Sequence, residues 1–174
     1  MGASWTQVAD PVRALHATGV RARGRFRIEH GRTRTTRLLA RMLRLPRPAA
    51  AAEIRLIVTT GPGGEHWLRT FDGRRLETHQ YEAGEFELAE RFGLLEFRFH
   101  LLASDGSLLY LQREAAFRFG SVRLRVPSSW APRIQAREDP AGPERVSVHV
   151  RVSLPGLGPL ITYDGFVDVE GTPA

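Results

Sequence analysis

The chain contains no cysteine, no lysine and no asparagine. Without cysteine there is no disulfide framework and no thiolate chemistry, so the fold must rest on packing alone. That absence fits a cytoplasmic location, which is the expectation. No apolar run approaches the ~20 residues a membrane-spanning helix needs. No charged start is followed by an apolar core, so no signal peptide is expected. Metal-ligating histidine pairs at helical spacing are missing, as are a Walker loop, a GxGxxG in βαβ context and a GxSxG elbow.

What is present is an ordinary globular balance. The 174 residues are 42% hydrophobic and 25% charged, enough for one domain over 1–174 with a real core. The net charge of +6 normally raises nucleic acid as a partner. Here every one of the 25 basic residues is arginine. A chain rich in Arg, Ala, Gly and Pro but empty of Lys and Asn has the composition of GC-rich coding, so nucleic acid is not an expected partner.

The chain opens on a lead-in over 1–19 with a short helix at 10–17, with Asp10 as N-cap, Pro11 in the first turn and Gly19 beyond the end. Residues 19–31 then alternate strictly: Ala22, Gly24, Phe26 and Ile28 face inward while four arginines face out. Gly24 on the inner face implies a bend or a close backbone approach. Residues 33–45 switch to helical spacing, with Arg34, Arg37, Arg41 and Arg44 on one stripe and Leu38, Leu39, Met42, Leu43 and Leu45 opposite. That face is expected to pack on the rest of the fold. The alternative, a helix lying on an anionic membrane or closing over a lipid tail, is disfavoured by its length. RPAAAA after it reads as a join.

From residue 53 the period is two almost to the end. Runs at 53–60, 64–71, 74–82, 84–92, 94–102, 107–119, 121–126, 132–138, 144–154 and 159–169 are separated by turn signals, of which the two Asp-Gly pairs are the firmest hairpin markers. The pattern predicts a mainly β fold, an antiparallel barrel or closed sandwich of roughly eight to ten strands with one or two short N-terminal helices. A helix-grip arrangement is the runner-up. The core spans 20–169, and 170–174 is expected to fray.

Alternation also turns charged residues inward. Trp67, Arg69 and Phe71 share a face; Glu90 sits in the row Phe86, Leu88, Phe92. Leu109, Leu111, Ala115, Phe117 and Phe119 bracket Arg113. Ile161, Tyr163, Val167 and Val169 face in, and Ile134 and Ala136 lead to Glu138. Buried charges must find each other, a ligand or water. Glu90 paired with Arg113 or Arg69 inside the barrel is one solution. A polar floor under an apolar pocket is another, and a bulge that turns one of these residues outward is a third. The candidate ligand-binding residues are therefore Trp67, Arg69, Glu90, Arg113 and Tyr163. No catalytic residue, metal or cofactor is nominated; the histidines are scattered, with His66, His100 and His149 on outer faces.

The blocks GRFRIEHG (24–31), RLLARMLRLP (37–46), EHWLRTFDGRRL (65–76), ERFGLLEFRFHL (90–101), VPSSWAPRIQAREDPAG (126–142) and VRVSLPGLGPLITYDG (150–165) resemble a bacterial family known as domain of unknown function 4166. The resemblance implies a domain found alone or after reductase-like domains of the saccharopine-dehydrogenase or short-chain type. It supplies no catalytic residue, and it sets Trp67, Arg69, Glu90 and Trp130 within its motifs. Three functions stay open: a module binding a small hydrophobic or amphipathic ligand, an accessory domain docking on a reductase through its arginines, and, last, an enzyme with Glu90 as general base.

Overall fold

A computed structural model of the chain describes residues 3–170. The alternating runs form eleven strands: β1 (Arg21–His30), β2 (Ala49–Gly61), β3 (Gly64–Phe71), β4 (Arg74–Gly84), β5 (Glu87–Phe92), β6 (Leu95–Ser104), β7 (Ser107–Phe119), β8 (Val122–Arg125), β9 (Arg133–Pro140), β10 (Arg145–Leu154) and β11 (Gly158–Glu170). All pair antiparallel. Strands β1 to β7 follow one another, β9 takes the free edge of β7, and β10 and β11 bring the sheet back to β1. The result is a closed ten-stranded barrel with β8 as an eleventh strand hanging from β7. Closure removes the exposed sheet edges that an open meander would carry.

Local chemistry explains the tight connections. At both Asp-Gly pairs the two residues have positive φ, 45° and 81° at Asp72 and Gly73 and 51° and 81° at Asp105 and Gly106, as a two-residue hairpin turn requires. The expected join at 47–52 is instead strand: the alanines of β2 pair with β1, Ala49 opposite Ile28 and Ala52 opposite Phe26. Small side chains fit there beside bulky ones on the neighbouring strand.

Two short helices sit at opposite ends. Helix α1 (Asp10–Leu15) buries Pro11, Val12 and Leu15 and packs on β9, β10 and β11. Together with Val8 it plugs one end of the barrel. Its N-cap is Ala9, not Asp10, which lies in the first turn and pairs with Arg13. Helix α2 (Arg34–Met42) has Thr33 as N-cap, its side chain accepting from the Thr36 N–H at 3.1 Å. It lies at the other end, against β11 and β1. The expected broad packing face is much narrower: Thr36 and Ala40 are buried, Leu39 packs on the core, and Leu38, Met42 and Leu43 are exposed. Leu45, just after the helix, does reach the core. Of the tail expected to fray, Glu170 ends β11 and 171–174 lie outside the described residues.

Candidate functional site

Inside the barrel is a cavity of about 190 Å³. A void of ~150 Å³ already holds a benzene-sized guest when its walls are apolar. Its walls are mostly apolar: Leu45, Phe92, Leu95, Ile134, Val152 and Leu160 line the half towards α2. The lining extends to Leu43, which is itself exposed, so the cavity reaches the surface beside α2. The polar groups fall in two sets, one beside α1 and one around Arg69.

The first polar group is a satisfied triad. His16, the residue that caps α1, bonds Glu138 of β9 through Nε2 at 2.6 Å. The Tyr110 hydroxyl of β7 donates to Glu138 Oε1 at 3.1 Å and lies 3.2 Å from His16 Nε2. Burial by itself lowers the His16 pKa, but the charge and hydrogen bond of Glu138, with the charge of Glu65, leave it raised above the ordinary 6.5. Burial first, then the Glu138 carboxylate, pushes the Tyr110 hydroxyl well above its usual value. These groups consume one another's hydrogen-bonding capacity, which is how a buried polar network becomes structural.

The second group is not satisfied. Arg69 of β3 donates to Thr78 Oγ1 of β4 at 2.8 Å and lies 3.5 Å from Glu90 Oε1. That separation is beyond a hydrogen bond. Its guanidinium also sits 4.9 Å from the centre of the Trp67 ring, which is anchored through Nε1 to Glu65 at 3.0 Å. The Arg69 and Glu90 side chains remain 16% and 19% accessible although they point into the barrel. Among the described residues Glu90 accepts no hydrogen bond. Tyr163 of β11 packs edge-on against Phe26 and Phe71, ring centres 5.9 and 5.7 Å away, and lines the same cavity. Burial raises its hydroxyl pKa to about 12; the Arg69 charge opposes this, while those of Glu90 and Glu138 add to it. Its hydroxyl makes no hydrogen bond among the described residues.

Of the five sequence-derived candidates, Trp67, Arg69, Glu90 and Tyr163 thus share one cavity. Arg113 does not join them. Across β6 and β7, Arg98 faces Glu114 and Phe99 faces Gln112, leaving Arg113 as the unpaired residue of a β-bulge. It is exposed, so Glu90 has Arg69 as its ionic neighbour. The bulge also shifts the faces: before it Leu108 and Tyr110 are buried and Leu111 is exposed, the reverse of the alternation expected for that half of β7.

A separate ionic cluster lies on the outer wall. Glu96 of β6 is wholly buried there under Tyr81, whose hydroxyl donates at 2.5 Å, and under Arg123 at 2.6 Å and Arg118 at 3.1 Å. Glu114 joins through Arg123 and Arg125. Burial would raise the Glu96 pKa, yet the bonds from Tyr81, Arg123 and Arg118 hold it below the ordinary carboxylate value. This cluster ties the polar face of the β7–β8 hairpin to the barrel. Among the described residues no group of three His, Asp or Glu side chains could hold a metal ion.

A family model described as "Domain of unknown function (DUF4166)" matches residues 9–166. The chain belongs to this family. Searches of the curated proteins and of the solved structures found no match. In this DUF4166 domain the match takes in α1, the barrel up to Phe166 of β11 and all of the cavity lining but Val167. Tyr110, which lines the cavity, and His16, which bonds the lining residue Glu138 from behind, are the residues that sequence reasoning missed. Tyr110 was hidden by the bulge. His16 sits on a helix whose packing partner has no local sequence signal, although Glu138, its partner, stands out as an acid on an inward face.

Proposed function

We propose that the barrel binds a small apolar or amphipathic molecule whose uncharged polar end lies against Arg69, Glu90 and Tyr163. The observation that carries this is the cavity itself, with unspent hydrogen-bonding groups on its wall and apolar side chains over most of the rest. Arg69 and Glu90 balance each other in charge. A hydroxyl or amide can accept from Arg69 and donate to Glu90 without stranding a charge, whereas an ionised head group leaves one member opposed. A general-base role for Glu90 has less support. Its ionic neighbour is Arg69, a permanent cation, and no second reactive group stands within hydrogen-bond reach among the described residues.

Native mass spectrometry against the denatured mass tests for a co-purified guest, and titration with a medium-chain alcohol, followed by tryptophan fluorescence, tests the cavity directly. The expected result is saturable alcohol binding that Val148→Phe, which fills the cavity, abolishes. Glu90→Gln and Arg69→Met each weaken it by roughly five-fold, the net worth of one hydrogen bond. Arg113→Met leaves it unchanged. A bare native mass together with no fluorescence change on titration overturns the proposal.

A further inference from the structure

The exposed apolar side chains are unevenly placed. In an antiparallel barrel alternate connections lie at the same end, so α2, the β3–β4, β5–β6 and β10–β11 turns and the β7–β8 hairpin surround the mouth where the cavity reaches the surface. Most of these carry large apolar residues in the open. Met42 on α2 is 71% exposed and Trp130, just after the hairpin, is 80% exposed. Leu38, Leu94 and Leu157 join them from three different connections. On the hairpin Phe117 and Phe119 stack 6.3 Å apart. They stand across from Leu124 and Val122, both exposed, while its opposite face is tied down on Glu96. Among the described residues, no connection at the α1 end carries an exposed large hydrophobic residue.

Charge divides along the same axis. Residues 31–48, which contain α2, include six arginines and no acid. At the α1 end the close of β4, the turn after it and the start of β5 bring Glu82, Glu85 and Glu87, and later hairpins add Asp105 and Glu144. The exposed side of α2 combines both features. Leu38 and Met42, one turn apart, form a ridge that Arg34 and Arg41 border along one side at about 100° per residue. A short helix is a weak membrane anchor alone, but here it is one of several contacts around a rim.

We infer that the open end of the barrel docks on an anionic lipid bilayer, its apolar rim dipping between head groups and the α2 arginines meeting the lipid phosphates. A bilayer fits because the exposed apolar residues come from several separate connections around a ring, with the six arginines of 31–48 gathered on one side of it, which suits a fluid anionic surface. The acidic opposite end orients the approach. The mouth of the cavity lies inside the ring, so an apolar guest can pass between bilayer and barrel without crossing water. Docking itself needs no guest, and its failure is read separately from that of alcohol binding.

Co-sedimentation with vesicles tests it, comparing phosphatidylcholine alone with mixtures containing phosphatidylglycerol. The wild type should bind the anionic vesicles roughly ten-fold or more better, and added salt should erase most of that gain. Leu38→Ser with Met42→Ser, and separately Arg34→Glu with Arg41→Glu, should each weaken sedimentation about ten-fold or more while unfolding midpoint and alcohol binding in solution stay as in the wild type. Phe166→Ser, which removes an apolar side chain from the outer wall, should leave sedimentation intact. Equal binding to neutral and anionic vesicles, or none to either, overturns the inference. So does a concentration-dependent dimer in solution that Leu38→Ser with Met42→Ser dissolves, since the rim is then an interface between two copies.

Discussion

His16 and Glu138 illustrate how a single buried pair links stability to pH. Their side chains are 8% and 10% accessible and the His16 pKa is raised by its partner. A group whose pKa is higher in the folded than in the unfolded chain stabilises the fold fully below its unfolded value, here about 6.5. That contribution disappears as pH rises through the folded value. Unfolding midpoints in urea should therefore fall in the wild type as pH rises above about 6.5 into the alkaline range. Glu138→Gln should flatten that slope and cost about 1–3 kcal/mol at the lower pH, because His16 can shed its proton and no charge is left stranded. A wild-type midpoint independent of pH in that window, or a slope that survives in Glu138→Gln, contradicts the role assigned to the pair. Trp67, Arg69, Glu90 and Tyr163 were legible as inward residues because each lies on a regular alternating run. Arg113 misled because one inserted residue inverts every face on its near side, and a bulge leaves no mark in the pattern of apolar residues.

At the scale of the element, most strand limits follow from the period of two and from turn residues. The exceptions have physical causes: alanines at 49–52 carry little strand propensity and are held in β2 by pairing with β1. For α2, periodicity revealed the apolar side chains but not that the barrel offers them only a narrow seat. The inward Gly24 was legible, and the structure shows what it serves. A Cβ there would lie 1.7 Å from the Phe166 carbonyl oxygen, and one at Gly165 on the facing strand 2.1 Å from that of Arg25. The two glycines let β1 and β11 approach more closely than any side chain allows at the seam where the barrel closes. Gly24→Ala should destabilise by about 1–3 kcal/mol, the cost of overpacking. Gly61→Ala, at the end of β2 where nothing lies within 4 Å of the added Cβ, should change stability by no more than about 1 kcal/mol. Thermal unfolding of the two variants checks the contrast, and equal losses refute the seam's special role.

For the molecule as a whole, the decisive fact is that the first strand pairs with the last: Arg21 stands opposite Glu170 and His30 opposite Ile161. No barrel exists until nearly the whole chain has been gathered, because β1 has one edge on β2 and the other on β11. The loop-closure entropy of that step is offset only when the buried core forms with it. Core residues from β1, β2, β3, β10 and β11 belong to one cluster, Phe26, Ile54, Phe71, Val146 and Val167 among them. Two consequences follow together. Refolding should be slow for a chain of this size, in the range of milliseconds to seconds typical of topologies dominated by distant pairings. A chain cut before β11 should remain unfolded instead of forming an open sheet, since it exposes both seam edges and loses Leu160, Ile161 and Val167 from the core. Stopped-flow tryptophan fluorescence, with Trp67 buried against the cavity, and hydrogen exchange of the truncated chain measure the two. A native signal regained in microseconds, or protected β2–β6 amides in the truncated chain, would mean that the meander folds first and that the seam closes afterwards as a separate event.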